Sequence, residues 1–343
     1  MTLPDIAVRF LSRHDVVACG ALDMHAAVAD VEATLRLQNA GETIMPPETV
    51  LRWHATVDRH AAGEDETGAY ALPAYLGGPE PVAGIKWTAH RVSHGAPDGQ
   101  EPAVMGLIVL TDPKSGRPFA VMESALIGAV RTAATTGVAL QRLRRTDAAT
   151  VTLIGAGLQA EMHLRMLAAA LPGARRLVLA NRTRDHAERL VRRLTSLPWT
   201  PEVSDLGPPA VEESDVVIAC TAAASPFVHA GWVHRGMAAV SIGPYEFSYD
   251  AVRAFDAVVV DAWGDFKRTS LKGLFRMYRD GQFEESAVAA DLGALVAGAR
   301  EVPRESSVFV SVFGLSIFDI AVATRIARAA EERGAGRTFP LFR

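Results

Sequence analysis

The sequence predicts an α/β protein: a central, doubly wound parallel sheet joined to a split α+β domain built from both ends of the chain. Two observations carry this. Between residues 150 and 261, short apolar, β-branched runs alternate with stretches of helical spacing, as strands buried on both faces do. The first 120 residues differ, with half-buried alternating segments and a polar stretch rich in glycine and proline, and 343 residues exceed one ordinary core.

Taken in order, residues 22–41 read as an amphipathic helix, and residues 83–89 and 103–110 as half-buried strands. The turn Asp112-Pro113-Lys114-Ser115-Gly116 joins the second of these to a strand at 118–122, making a hairpin. Residues 94–103 have the composition of a surface loop. The run 150–155 (TVTLIG) is a buried strand that stops at glycine, and 159–170 is the helix after it. A strand at 176–180, a helix at 184–197 and strands at 215–221, 237–243 and 257–261 continue the alternation. Residues 308–312 are the last strand, and 317–332 an alanine-rich helix. The expected division is 127–310 for the central domain, with 1–126 and 311–343 forming the other.

Composition excludes several partners. A net charge of -4 gives no electrostatic reason to expect nucleic acid or an anionic membrane. Arg142, Arg144 and Arg145, the nearest approach to a basic cluster, read as the solvated end of a helix. No run approaches 18 uninterrupted apolar residues and the first ten residues lack a signal-peptide pattern, so a cytoplasmic protein is expected. The two cysteines, Cys19 and Cys220, cannot form a disulfide framework, and no Cys/His spacing suggests a metal.

The segment Gly155-Ala156-Gly157-Leu158-Gln159-Ala160 follows a strand and opens a helix. That context makes it a Rossmann-type dinucleotide turn with alanine in the third position. Gly155 permits the tight turn, Gly157 lets a pyrophosphate approach the backbone, and Ala160 lets helix and strand pack closely. The helix N-terminus offers unbonded N–H groups to phosphate. At the next strand tip a carboxylate would hold the ribose of NAD(H). The chain has Asn181-Arg182-Thr183 instead, and Arg182 suits a 2′-phosphate, which favours NADP(H). NAD(H) stays possible if Asp185 reaches back. Cys220-Thr221-Ala222 ends a further strand, where loops approach the cofactor, although Cys220 itself closes an apolar run and reads as structural.

Three cations interrupt otherwise apolar segments: Arg52 in Leu51-Arg52-Trp53, Lys86 in Gly84-Ile85-Lys86-Trp87, and Arg131 in Gly128-Ala129-Val130-Arg131. Lysine is seldom buried without a partner. Lys86 therefore either binds a substrate carboxylate and polarises a C=N carbon, or is turned outward by strand alternation. Together the three suggest an acidic substrate such as an amino acid. His54, His60, His90 and His94 lack metal-ligand spacing and read as surface or loop residues.

These segments, with Leu72-Pro73-Ala74-Tyr75-Leu76-Gly77-Gly78, Met122-Glu123-Ser124 and Gly314-Leu315-Ser316-Ile317-Phe318-Asp319, resemble the ornithine cyclodeaminase/mu-crystallin family from about Arg52 onward. The resemblance implies a homodimer in which the split domain binds substrate and pairs the subunits. It implies Arg52, Lys86 and Arg131 at the substrate carboxylate, and Asp319 as a recurrent acid. It assigns Thr132, Gly155, Ala156, Gly157, Leu158, Gln159, Asn181, Arg182, Thr183, Cys220, Thr221 and Ala222 to the cofactor. One departure matters. Ornithine cyclodeaminases carry an aspartate in a Gly-Gly-Asp segment, whereas this chain reads Ser241-Ile242-Gly243-Pro244-Tyr245-Glu246-Phe247. Glu246 is the expected proton-transfer carboxylate, with Asp250 the fallback, and ornithine cyclisation is put in doubt.

Redox chemistry at an amino-acid or imine C–N bond is the activity the resemblance implies. The chain is similar to a branch of the family that oxidatively cleaves N-(2-amino-2-carboxyethyl)-glutamate, which implies 2,3-diaminopropionate and 2-oxoglutarate as products. An NADPH-dependent imine or ketimine reductase, an ornithine cyclodeaminase-like enzyme and a binding protein without turnover are the alternatives.

Overall fold

The computed structural model describes residues 6–51, 68–90, 102–264, 268 and 270–342. The chain divides into two compact units, one of residues 1–23, 40–131 and 316–343, the other of residues 24–39 and 132–315. In chain order the helices are α1 (Arg13–Ala18), α2 (Met24–Asn39), α3 (Ala125–Arg142), α4 (Leu158–Ala170), α5 (Arg184–Arg193), α6 (Tyr249–Arg253), α7 (Gly273–Arg279), α8 (Leu292–Val296) and α9 (Ser316–Arg333).

The first unit is built on β1 (Ala7–Leu11), β2 (Thr43–Ile44), β3 (Thr49–Leu51), β4 (Gly68–Leu76), β5 (Val82–His90), β6 (Val104–Asp112) and β7 (Arg117–Glu123), with the strand Arg337–Pro340 beside β1. The sheet runs from that last strand through β1, β7, β6, β5 and β4 to β2, and β3 also pairs with β4. The expected hairpin is present: Gly116, at φ +71°, donates to the Asp112 carbonyl and closes the turn between β6 and β7. β4 carries Pro73 without losing a ladder bond on its outer side. There β3 stops at Ala71 and β2 starts at Tyr75, so residues 72–74 face a gap.

The two faces of this sheet differ sharply. One is covered by α9, which packs on β4, β5 and β6 and buries Ile108 and Leu110. The opposite face exposes Trp87, Leu107, Met105, Phe119, Phe10 and Phe339. Register makes them one surface: Trp87 stands opposite Leu107, Ala89 opposite Met105, and Val8 opposite Phe339.

The second unit is a parallel sheet of β8 (Thr150–Ile154), β9 (Arg176–Ala180), β10 (Glu202–Ser204), β11 (Val216–Ala219), β12 (Ala238–Ser241), β13 (Ala257–Val260), β14 (Val288–Asp291) and β15 (Val308–Ser311). Their spatial order is β10-β9-β8-β11-β12-β15-β13-β14. The chain winds outward from β8 in one direction and from β11 in the other, so the winding reverses between these two strands. In such sheets ligands bind outside the C-terminal ends of the strands at that reversal. The run 308–312 joins this sheet between β12 and β13, as its both-face burial requires.

Two local expectations are corrected. The helix expected over 184–197 ends at Arg193, with Leu194 leaving helical angles as its C-cap; Pro198 independently bars Leu197 from the helix. The arginine cluster is not simply a solvated end. Arg145 is buried and donates to the Ser306 carbonyl at 2.6 Å, and Arg142 pairs with Glu32.

Candidate active site

Strand alternation decides the orientation of Lys86. On β5, Trp87 points outward, while Gly84, Lys86 and Thr88 line the face under α9. Gly84 lets that helix come close: a Cβ there would lie 2.7 Å from Ile320 Cδ1. One residue earlier on α9, Asp319 reaches Lys86. Its Oδ2 accepts from Lys86 Nζ at 2.7 Å, and its Oδ1 accepts from Arg131 Nε at 3.1 Å. Lys86, Arg131 and Asp319 are 6%, 8% and 0% exposed. Two cations thus share one carboxylate in a nearly sealed place. Burial lowers the Lys86 pKa to about 8, with Asp319 and, more weakly, Glu48 opposing that shift and Arg131 adding to it. Two cationic donors gathered on one buried face suit an incoming carboxylate.

Arg52, His54, His60 and His94 lie outside the described residues. His90 is a correction. It ends β5 on the same face as Lys86, half-buried, with its ring 4.9 Å from that of Tyr70. Burial, and secondarily the Lys86 charge, lower its pKa to about 4, so it stays neutral near pH 7.

In the second unit, β8 ends at Gly155 with φ +123°, and a Cβ there would lie 2.5 Å from the Cys220 carbonyl oxygen. Only glycine suits that position. Gly157, the N-cap of α4, is exposed, has no atom within 4 Å of a built Cβ, and no side chain caps the helix. Ala160 is fully buried. The turn therefore has the form that cradles a pyrophosphate: a bare backbone approach, uncapped N–H groups and close helix packing. Ala156, Leu158 and Gln159 are half-buried along it. His163, one turn along α4, donates from Nδ1 to the Gln159 carbonyl (2.8 Å) and contacts Thr136 Oγ1 through Nε2 (3.0 Å). Thr132, on α3, is buried.

At the tip of β9, Asn181 donates to the Thr183 carbonyl at 2.8 Å, which shapes the turn, and Arg182 and Thr183 are exposed. Arg184 is engaged by Glu188 and Asp205, whereas Arg182 has no partner among the described residues. At the tip of β11, the Cys220 thiol donates back to the Ile154 carbonyl, and burial pushes its pKa well up. Its side chain is thus structural, and Thr221 and Ala222 extend beyond it.

Glu246 differs most from expectation. It is 1% exposed, and all its partners lie in its own unit. Oε1 accepts from the Thr221 N–H (2.7 Å) and Oγ1 (3.1 Å); Oε2 accepts from Ser241 Oγ (2.9 Å) and the Gly243 N–H (3.0 Å). Four donors fill the carboxylate, so it ties the β11 and β12 tips together, and proton transfer would require breaking that tie. Asp250, the fallback, is exposed and accepts from the Ala230 N–H. Two neighbours were not singled out from the sequence. Lys272 Nζ donates to the Gly243 carbonyl at 3.1 Å, and buried Asp261 accepts from the Phe313 and Gly314 N–H groups at 2.9 and 2.6 Å. Among the described residues no three His, Cys, Asp or Glu side chains gather to hold a metal, and no helix is long and apolar enough to cross a membrane.

A chain that combines a doubly wound sheet carrying a glycine turn with a unit that holds buried cations on a carboxylate defines a class of dinucleotide-binding proteins. The chain belongs to the ornithine cyclodeaminase/mu-crystallin family, whose profile matches residues 8–334. It is 27% identical over 341 residues to N-((2S)-2-amino-2-carboxyethyl)-L-glutamate dehydrogenase of Staphylococcus aureus, covering 97% of this chain and 98% of that one. Among solved structures it resembles Thermococcus litoralis Delta(1)-pyrroline-2-carboxylate reductase in complex with NADH and L-proline, at 25% identity and TM-score 0.84, over 96% of this chain and 99% of that one. An archaeal alanine dehydrogenase dimer with bound NAD matches at 25% identity and TM-score 0.84, over 98% and 100%.

Proposed function

We propose that this NAD(P)-dependent amino-acid or imine oxidoreductase holds its substrate by the carboxylate at Lys86 and Arg131, and that it oxidises a secondary amine of the N-(2-amino-2-carboxyethyl)-glutamate type. The observation that carries the reading is the buried group of two cations, Lys86 and Arg131, brought together on Asp319. The similarity to the Staphylococcus aureus dehydrogenase supports the substrate type.

The bound dinucleotide supplies hydride transfer to or from carbon. The glycine turn would hold its pyrophosphate, and Thr221 and Ala222 would also line the cofactor site. Lys86 and Arg131 orient the carboxylate, and their charge makes the attached carbon more electrophilic once it is an imine. With a pKa of about 8, Lys86 also suits moving the proton that the substrate nitrogen loses or gains. Asp319 keeps both cations in place. In the oxidative direction the amine loses a hydride and a proton, and water then adds to the imine and releases a keto acid and an amine. Glu246 acts in this reading as the brace of the β11 and β12 tips.

NADP(H) is the preferred cofactor in this reading, because Arg182 is exposed and has no partner among the described residues, where NAD-specific proteins keep an acid. The resemblance to the pyrroline-carboxylate reductase favours imine reduction as a second reading. A second copy of the chain covers the apolar face of the first unit, in keeping with the dimeric alanine dehydrogenase. Two buried, unpaired cysteines suit a reducing cytoplasm.

Absorbance at 340 nm tests the activity, with each cofactor offered the glutamate conjugate in one direction and pyrroline-2-carboxylate in the other. Oxidation of the conjugate, with an NADP⁺ advantage lost in Arg182→Ala, is expected. Reduction of the cyclic imine alone would replace the substrate assignment. No turnover on either, despite tight dinucleotide binding, would indicate a binding protein. Light scattering on the purified chain reads its mass, and a monomer would exclude the dimer.

A further inference from the structure

The carboxylate clamp occupies only part of the polar surface in the first unit. Ser124, Gly128 and Arg131 stand at i, i+4 and i+7 on α3 and its first turn, so they share one helix face. The face is oriented by contact: a Cβ built on Gly128 would lie 3.6 Å from Asp319 Oδ1 and 3.9 Å from Lys86 Nζ. Glycine in a helix interior costs about 1 kcal/mol relative to alanine, and here it leaves open the space directly against the Lys86–Asp319 pair.

One turn earlier, Ser124 is 1% exposed, and its Oγ has no hydrogen-bond partner among the described residues. The hydroxyl does not cap α3, because the Glu123 carboxylate already accepts from the Ala125 and Leu126 N–H groups. It lies over the pair Thr88–Gly106 on the Lys86 side of the sheet, where a Cβ on Gly106 would come within 2.7 Å of it. A buried hydroxyl without a partner is costly unless a ligand completes it.

We infer that Ser124 and Gly128 form the side-chain subsite of the clamp: Gly128 makes room for the substrate chain, and Ser124 Oγ hydrogen-bonds a polar group on it. Ser124 and Arg131 are about 10 Å apart along the helix axis, and Arg131 leans back toward Ser124. A polar group roughly three to five bonds beyond the substrate's α-carbon spans the remainder. The favoured substrates are therefore amino acids or imines with a second hydrogen-bonding group, not alanine- or proline-like ones. The inference rests on the carboxylate clamp proposed above.

Calorimetric binding with saturating NADP⁺ tests it without requiring turnover, using matched probes: L-norvaline against L-ornithine, and L-2-aminobutyrate against L-2,4-diaminobutyrate. The polar member of at least one pair should bind about 10- to 100-fold more tightly, and Ser124→Ala should erase that preference while leaving the apolar member unchanged. Gly128→Ala, whose added methyl makes only ordinary contacts, should weaken all four probes and leave the melting temperature intact. Equal binding of both members, lost in Lys86→Ala, would overturn the subsite and leave the clamp standing. A Ser124→Ala effect equal on both members would also overturn it. Binding of no probe, with NADP⁺ still bound, would overturn clamp and subsite together.

Discussion

Asp319 on α9 and Lys86 on β5 form an ion pair at 2.7 Å in which the acid is completely shielded from solvent. The same acid also receives Arg131, so the two partners of the pair are not equivalent. Removing Lys86 leaves a neutral Arg131–Asp319 pair, whereas removing Asp319 leaves two buried cations facing each other. Asp319→Ala should therefore cost about 3–5 kcal/mol, and Lys86→Met about 1 kcal/mol or less. Urea unfolding measures both. Equal losses would mean that Asp319 does not neutralise Arg131.

The depressed pKa of Lys86 sets a pH limit on binding. In the free protein Lys86 is an ammonium below about pH 8 and an amine above it, and only the ammonium attracts a carboxylate. kcat/KM should fall about tenfold per pH unit above about 8. In Lys86→Arg the charge persists to much higher pH, so whatever activity remains should lack that limb. A wild-type profile flat from pH 7 to 10 would rule Lys86 out as the group that titrates.

The two glycines of the turn should separate folding from binding. Gly155→Ala places a methyl 2.5 Å from the Cys220 carbonyl at φ +123° and should cost about 2 kcal/mol or more of stability. Gly157→Ala meets nothing and has an ordinary φ of -91°, so its melting temperature should hold while dinucleotide affinity falls about tenfold or more. Thermal melts and fluorescence titration with NADPH check the pair. Unchanged affinity in Gly157→Ala would place the pyrophosphate elsewhere.

Glu246 should make stability depend on pH. Burial raises its pKa from 4.5 to about 7, against the pull of its four donors. The folded state then binds the proton more firmly than the unfolded chain. That contribution is fully present below about pH 4.5 and is lost as pH rises through about 7. Glu246→Gln cannot titrate, so its melting temperature should lack this component between pH 5 and 8. It should also be less stable at pH 8, since its amide N–H groups meet N–H donors. Parallel slopes in the two proteins would exclude Glu246 as their source.

The second unit could be read from the chain because its determinants are local. A strand buried on both faces is an uninterrupted apolar run, and the turn at Gly155 sits within six residues of its strand and helix. The first unit hides its logic. Lys86 and Asp319 are separated by 233 positions, and alternation alone left Lys86 free to face either way. β4 is masked by Pro73, which is tolerable only because the neighbouring strands leave a gap there. The role expected of Glu246 followed from the family resemblance, but two of the donors that saturate it come from Thr221, 25 positions away at the tip of β11.

The inward-facing thiols have a practical consequence. Cys19 and Cys220, the only two cysteines in the sequence, are both buried, and burial keeps each thiol protonated at neutral pH. Alkylating dyes attack exposed thiolates, so they should pass over both. A single cysteine introduced by Arg182→Cys would then be the one site to take a fluorophore, at the β9 tip. The natural chain thus serves as an optically silent background on which dinucleotide arrival can be watched in real time.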